Sequence, residues 1–535
     1  MSHPDANLAT RFAERAALHP ERTALVEYAG RRVRRVTFGG MAERVAALAA
    51  GMREAGIGTG DRVLVLLPPS VDLYVTLLAT LHAGAAAVFV DEWPSRARLD
   101  AAVVAAAPRA FVGPSRAHLL RLLSPALRRV PVQWLVGRRW FPLSRRGRPA
   151  GAGTPAEVGA EHPALITFAP GSGGAPRGTV RTHGALWAEH RALAGLLELT
   201  EEDVDLPVLP AFVLHDLLAG VCAVLPGVDP RAPGAVDPEA VHRRMRREGV
   251  TTSSGPPAFH ERLVVRGAPR GVMVPLRALS TVGGVVYPPL ARRLADAVHG
   301  TARLVYACDG AGPVAAIEAR AMLAAMAAMG EGICAGFPLP GVSTRIIRPH
   351  PGPVVLGEEG WAEWEVPRGA VGELVVSGAH GRLNDPEGER ATRIRDGERV
   401  WHRTGDAARL DPLGRLWRMG RVAERVVRAG STWWSFPAEL RALGAGYVRH
   451  AAYLGLADAE LGERTVLCVE IPGGQLDDLL RADLSRRLGA IPVDEIHALP
   501  RIPRDPGDAS RTDVPALRRI LAALRRRPAP ADVTG

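Results

Sequence analysis

Lysine is absent from this 535-residue chain, so all 67 of its Lys/Arg positions are arginine. Asparagine and glutamine are nearly as scarce, with Asn7, Asn384, Gln133 and Gln475 the only examples. The skew reads most simply as a GC-rich coding bias. Cysteine is sparse too: Cys222, Cys308, Cys334 and Cys468 are scattered, and no pair has CxxC spacing. That pattern indicates neither a zinc site nor a disulfide framework, and it fits a reducing cytoplasm. The N-terminus (MSHPDANLATRFAERA) has acidic residues and no apolar core of signal-peptide length. Residues 73–90 run 18 positions without a charge, long enough to ask about a membrane span. The run contains Thr76, Thr80, His82 and Gly84 and lies between GDRV and DEWP. It therefore predicts a buried helix, a glycine turn and a buried strand instead.

What is present describes a globular enzyme. Hydrophobic residues make up 47% and charged residues 23% of the chain, far from the disordered regime. The length predicts about three domain-sized units. The excess of 67 basic over 56 acidic residues raises a nucleic-acid role. The arginines are spread along the chain, and the clusters at 138–148 and 525–527 sit in Pro/Gly-rich or terminal stretches that read as solvated loops. With no aromatic–basic interleaving, nucleic acid is not an expected partner.

The order of apolar runs organises the chain. Residues 7–137 alternate amphipathic helical patterns with short apolar runs such as 63–67 and 86–90, which predicts an α/β sheet. A Pro/Gly-rich connection follows at 138–160, and the alternation resumes from 164 to about 418. Strands are predicted at 164–168, 303–307 and 373–376. Residues 419–523 form an expected small α+β unit, and 524–535 an expected disordered tail.

The strongest chemical signal is the glycine-rich stretch 168–179 (FAPGSGGAPRGT), directly after a predicted strand. Closely spaced glycines let backbone N–H groups converge on an anion, which suits a phosphate. Pro176 stiffens the loop and Arg177 supplies a cation. It is not a Walker A loop, because no GK[ST] closes it. Further motifs follow at 180–184 (VRTHG), 209–217 (LPAFVLHDL), 283–284 (GG), 306–311 (YACDGA), 372–378 (GELVVSG), 401–406 (WHRTGD) and 411–421 (DPLGRLWRMGR).

This ordered series resembles the adenylate-forming (acyl-AMP/acyl-CoA synthetase) superfamily, whose phosphate loop has the form TSGTTGxPKG. Within it, residues 111–123, 204–212, 225–233, 313–320, 330–349 and 395–406 are most similar to the β-lactone synthetases of olefin biosynthesis. The resemblance implies an α/β fold in which a large multi-sheet N-terminal adenylation domain (1–418) is followed by a small α+β C-terminal lid domain (419–523). It implies ATP and Mg²⁺ as cofactors and a small-molecule carboxylic acid, a β-hydroxy acid, as substrate. Closing the acid's own hydroxyl onto its acyl-AMP needs no coenzyme A, and one pocket holding both groups supplies the entropic advantage.

The same resemblance implies roles. Gly171, Ser172, Gly173, Gly174, Arg177 and Gly178 would cradle the phosphates. Gly284 and Tyr306 would border adenine, with Asp406 and Arg421 on the ribose. Phe212, His215 and Gly283 would line the acid pocket, while His183 is equally readable as a structural histidine. Joining a carboxylate to a phosphate brings two anions together, so cations must neutralise the developing charge. Arg511, in IPRDPGDASR, falls where the family has its C-terminal lysine, and Arg177 where it has its loop lysine. The family's metal-associated Thr-Glu is Asp309-Gly310 here, leaving Asp309 as the candidate metal ligand. Arginine is a broad planar fork and lysine a compact point charge, so those two exchanges are not neutral.

Three function classes follow as expectations: a β-lactone-forming synthetase, an acyl-CoA or fatty acyl-AMP ligase, and a catalytically silent binding protein, perhaps a partner in a biosynthetic complex. The loss of the glutamate at 310 motivates the last. A chain without lysine would also resist acylation by its own reactive product.

Overall fold

The computed structural model describes residues 6–30, 32–90, 96–136, 153–169, 177–264, 275–308, 311–378, 382–383, 386–505 and 510–525. Among them three sheets form. The largest has a parallel half, in which Thr23–Ala29, Cys222–Val224, Val204–Pro207, Thr252–Gly255, Ala278–Val282 and Thr301–Cys308 lie side by side. It continues antiparallel through Gly312–Glu318, Ile333–Pro338, Leu416–Arg421, Arg399–Leu410, Gly372–Ser377 and Ser343–Ile347. The second sheet is mostly parallel, built on Arg62–Val65, Ala86–Val90, Ala110–Pro114, Val132–Val136 and Pro163–Ala169.

Helices fill the space between these two sheets, and local sequence accounts for them. Ser70 caps Val71–His82 by accepting from the Leu73 amide at 3.2 Å. Every residue of that helix except Asp72 is buried, so the uncharged run is a core helix, closed by a turn at Gly84 (φ +83°) before the strand Ala86–Val90. No helix among the described residues is long and apolar enough to cross a membrane. Thr182 caps His183–Leu197 in the same way. Pro210 opens Pro210–Ala219 at a position where its missing N–H costs nothing, and Gly220 (φ +84°) ends it. One core runs from Val63 and Ala87 of the second sheet, through Tyr74, Leu78, Val213 and Leu217 of these helices, to Leu25 and Ala223 of the first.

The expected strands are present as Pro163–Ala169, Thr301–Cys308 and Gly372–Ser377. The third sheet, Ser431–Trp433, Val426–Arg428, Gly462–Glu470, His450–Asp458 and Glu495–Leu499, packs Ser435–Leu443 and Asp478–Leu488 around one core of Val426, Ala438, Leu467 and Leu484, and Val514–Arg525 around a second of Leu454, Val466, Leu517 and Leu521. This is the mixed α/β, large-then-small arrangement expected. Position 418 lies inside Leu416–Arg421, whose pairing with Arg399–Leu410 holds through Arg421, and the third sheet starts at Val426. At the other end, helix Val514–Arg525 continues past 523, because Leu517 and Leu521, four apart on one face, are both buried. The rest of the tail lies outside the described residues.

The small unit docks through Tyr287. Its hydroxyl donates to Glu439 Oε2 at 2.7 Å, and its ring meets Phe436 edge-on at 6.0 Å. Burial lifts the Glu439 carboxyl to about 7, against the opposing pull of the Tyr287 hydroxyl and the Tyr453 amide. A carboxyl whose folded pKa lies above its ordinary value gives full stability below that ordinary value and loses it as the pH rises through the folded one. The apparent melting temperature is therefore expected to fall between about pH 4.5 and pH 7. Glu439→Gln keeps the hydrogen-bonding capacity without the titration, and should visibly flatten that fall in a thermal-shift series. An unchanged slope would assign the pH dependence elsewhere.

Candidate functional site

Asp406 sits at the meeting point of the large and small units. It is 1% exposed, and an isolated carboxylate there would cost several kcal/mol. Three groups compensate it: the Tyr306 hydroxyl donates to Oδ2 at 2.7 Å, Arg421 Nη1 to Oδ1 at 2.9 Å, and Arg418 Nη2 lies 3.3 Å from Oδ2. Burial raises its pKa, but the Arg418 and Arg421 guanidinium groups, the Tyr306 bond and the Arg511 charge together bring it below the usual carboxylate value. Asp406 is therefore ionised at neutral pH. Thr404 positions it, accepting from the Asp406 amide at 3.1 Å while donating to the Leu374 carbonyl at 2.9 Å.

Two arginines three positions apart on a strand normally face opposite ways. Here Ala407 pairs with Gly420 and Ala408 with Arg418, so one extra residue bulges from Leu416–Arg421. The bulge turns Arg418 and Arg421 to the same side, onto Asp406. Gly420 permits it: its φ is +133°, and a Cβ there would come within 2.5 Å of Ser435 Oγ. Arg418 also lies over Tyr306 at 4.5 Å and Phe436 at 5.6 Å, linking the carboxylate to the small unit. Sequence reasoning missed Arg418; only its place in WRMGR, next to Arg421, signalled it.

The structure gathers several expected residues here. Arg511 is brought to the same cluster, where its charge helps hold the Asp406 carboxyl down and opposes the burial that raises that of Glu424. Beside it, Ser510 Oγ accepts from the Val285 amide at 2.8 Å. A Cβ on Gly284 would meet that oxygen at 2.6 Å and Pro257 at 3.0 Å, so Gly284 is where the C-terminal segment makes its closest approach. Gly283 (φ +85°) makes the turn before it. Tyr306 is buried, with its hydroxyl on Asp406 and one face under Arg418.

The glycine-rich stretch expected to hold phosphate joins two paired strands in sequence. Pro163–Ala169 and Arg177–Thr182 run antiparallel, with Gly178 opposite Phe168. Gly171, Ser172, Gly173, Gly174, Asp309 and the side chain of Arg177 lie outside the described residues. Among the described residues no cluster of three or more His, Cys, Asp or Glu could hold a metal ion. The Glu189 carboxylate, paired with Arg181, lies 3.8 Å from where a Cβ on Gly312 would be.

A cavity of about 1020 Å³ lies between the two large sheets. It opens at the carboxyl ends of parallel strands, lined by Leu66, Phe89 and Thr167. There Arg62–Val65 has Ala86–Val90 on one side and Ala110–Pro114 on the other, a reversal of strand order where ligands commonly bind. Leu73, Tyr74, Leu186, Leu193 and Leu214 make its walls apolar, and His215 and His190 line it too. Phe212 does not line it; its ring packs against Val282 and Val305, just before Gly283 and Tyr306. His183 is structural: its Nδ1 accepts from the Leu8 amide at 3.3 Å and fixes the first helix.

A model of AMP-binding enzymes matches residues 12–381. The chain is 31% identical over 490 residues to an olefin beta-lactone synthetase of Stenotrophomonas maltophilia, covering 86% of each. It is 32% identical over 453 residues to the olefin beta-lactone synthetase of Xanthomonas campestris, covering 80% of this chain and 79% of that one. ATP-bound MatB from Rhodopseudomonas palustris has the same fold, with a TM-score of 0.80 at 20% identity over 97% of this chain and 99% of its own.

Arg418→Leu should destabilise the protein by about 3 kcal/mol, because it strands a buried charge. Adding Asp406→Asn should recover part of that loss; strictly additive effects in denaturant titrations would show that the pair does not interact. Gly284→Ala should weaken docking of the small unit, seen as faster proteolysis between the units. Gly284→Ala combined with Ser510→Gly should restore protection, and no rescue would move the clash elsewhere.

Proposed function

The chain belongs to the AMP-binding enzyme family, whose members form adenylates, and from that membership we propose a specific substrate class for it. It is an ATP-dependent acyl-adenylating enzyme. In our reading its acid is a β-hydroxy acid with a long or branched apolar chain, and the product is a β-lactone. The observation carrying this reading is the apolar cavity of about 1020 Å³, at the upper end of small-molecule sites. Likeness to the two olefin beta-lactone synthetases supports the ring-closing outcome.

In this reading Asp406 accepts hydrogen bonds from the ribose, and Arg421 swings with it to admit the sugar. Asp406 Oδ1 holds Arg421 while Oδ2 holds Tyr306 and Arg418, leaving little free capacity until one donor moves. Arg421 is the mobile candidate, since its side chain is 35% exposed against 5% for Arg418. Gly178 and the loop residues 171–174 take the phosphates, with Gly283 and Gly284 beside the base. A carboxylate oxygen of the acid bonds to the α-phosphorus as pyrophosphate leaves. Arg511 and Arg177 offset the negative charge that gathers there.

Magnesium fits as an ion carried mainly by the nucleotide, which commonly needs only one or two protein carboxylates. Asp309 is our candidate ligand, and the ion would supply further charge neutralisation at the phosphates. The unit boundary is proposed at 422–425, the short turn between Leu416–Arg421 and Val426–Arg428. A coenzyme A ligase of the same fold is the second reading, favoured by the breadth of activities the fold hosts.

Incubation with ATP, Mg²⁺ and 3-hydroxy acids should yield AMP, pyrophosphate and lactone in equal amounts without coenzyme A. A requirement for coenzyme A would select the ligase reading, and no pyrophosphate from any acid would refute both. Asp406→Asn should lower kcat/KM for ATP by roughly 10²-fold or more, comparable to removal of one well-placed polar group.

A further inference from the structure

The cavity is walled mainly by apolar side chains, with Arg116, Arg181, Glu189 and Asp229 also on its lining, and within it two imidazoles face each other. His190, on His183–Leu197, and His215, on Pro210–Ala219, both line it, with ring centroids 4.6 Å apart. His215 is 2% exposed. Among the described residues Nδ1 of His190 has no partner at hydrogen-bond distance, and of the two His215 ring nitrogens at most one is served, by the His190 carbonyl. Buried polar atoms without partners are rare and call for an explanation. A plain hydrocarbon chain would leave them unpaired, whereas a hydroxyl could accept from one nitrogen and donate to another.

Their position suits such a group on a particular part of the acid. Phe212 packs against the strand residues that precede Gly283 and Tyr306, and His215 follows it by about one helical turn, or roughly 5 Å along the axis. The pair therefore lies just inside the cavity from the nucleotide side, next to the first carbons of an acid whose carboxylate faces the phosphates.

We propose that the His190–His215 pair reads a hydroxyl on the bound acid and that His215 takes its proton during ring closure. This rests on the acid-activating function proposed above. The hydroxyl oxygen bonds to the acyl carbon, its proton passes to the free imidazole nitrogen of His215, and the bond from acyl carbon to the AMP oxygen breaks. AMP leaves with that electron pair, and the imidazolium then returns its proton to water. Both rings are suited to begin neutral. Burial and the neighbouring His190 push His215 down to about 3, and burial with the charges of Arg11, Arg15 and Arg191 pushes His190 down to about 4. A neutral ring has the lone pair that acceptance requires.

The test compares 3-hydroxytetradecanoic acid with tetradecanoic acid, by equilibrium binding and by product analysis with ATP. Wild type should bind the hydroxy acid about tenfold more tightly, since unpaired buried groups penalise the plain acid. His215→Phe should bring the two affinities within twofold of each other. It should also cut lactone formed per AMP at least tenfold. His215→Gln keeps an acceptor and should retain the binding preference but lose ring closure; a merely structural histidine would impair both acids equally. His190→Phe should reduce the preference without abolishing closure. Equal binding of the two acids by wild type, or an undiminished preference in His215→Phe, would overturn the assignment. If neither acid releases pyrophosphate, the enzymatic reading fails on its own, and the binding preference still decides whether the pair reads a hydroxyl.

Discussion

An ionised carboxylate held almost wholly out of water is the constraint around which the site is organised. Asp406 is tolerable there only because Arg418, Arg421 and Tyr306 surround it. Those partners come from two other strands of the large sheet, so three stretches of chain must meet in register. The register itself is unusual, since a bulge and a glycine at positive φ are needed to aim both arginines the same way. Arg418 then extends the network across Phe436 into the small unit. Moving the small unit thus disturbs the environment of the carboxylate.

The cavity depends on a second compromise, carried by the helix Pro210–Ala219. One side presents His215 to the cavity. The next residue, Asp216, is buried against the first sheet and faces Asp205, which accepts from Thr252 at 2.6 Å and Ser254 at 2.8 Å. Burial and the neighbouring carboxylate raise the Asp216 pKa strongly. The helix thus turns a buried carboxyl toward the sheet and an imidazole toward the cavity.

Much of the scaffold was legible beforehand because its signals are local. The uncharged run 73–90 became a capped core helix, a glycine turn and a strand, each readable from short-range sequence. TGD at 404–406 placed Asp406 because the threonine, glycine and aspartate act within one turn of chain. Arg418, His190 and the contact of Ser510 with Val285 were not legible, since each acquires meaning from a partner far away in sequence. Phe212 was placed near the substrate, yet packs behind the cavity wall, because helical phase decides which neighbour of His215 faces inward.

The sequence by itself determined the family and the succession of helices and strands. Those follow from hydrophobic period, turn residues and short motifs, all of which operate within a dozen residues. Only the tertiary structure decided which arginines share the Asp406 carboxylate, which histidines face each other, and why residue 284 must be glycine. These depend on the bulge in Leu416–Arg421, the separation of two sheets and the docking of the C-terminal segment. Each is a balance of burial against charge and sterics that exists only once distant segments have met.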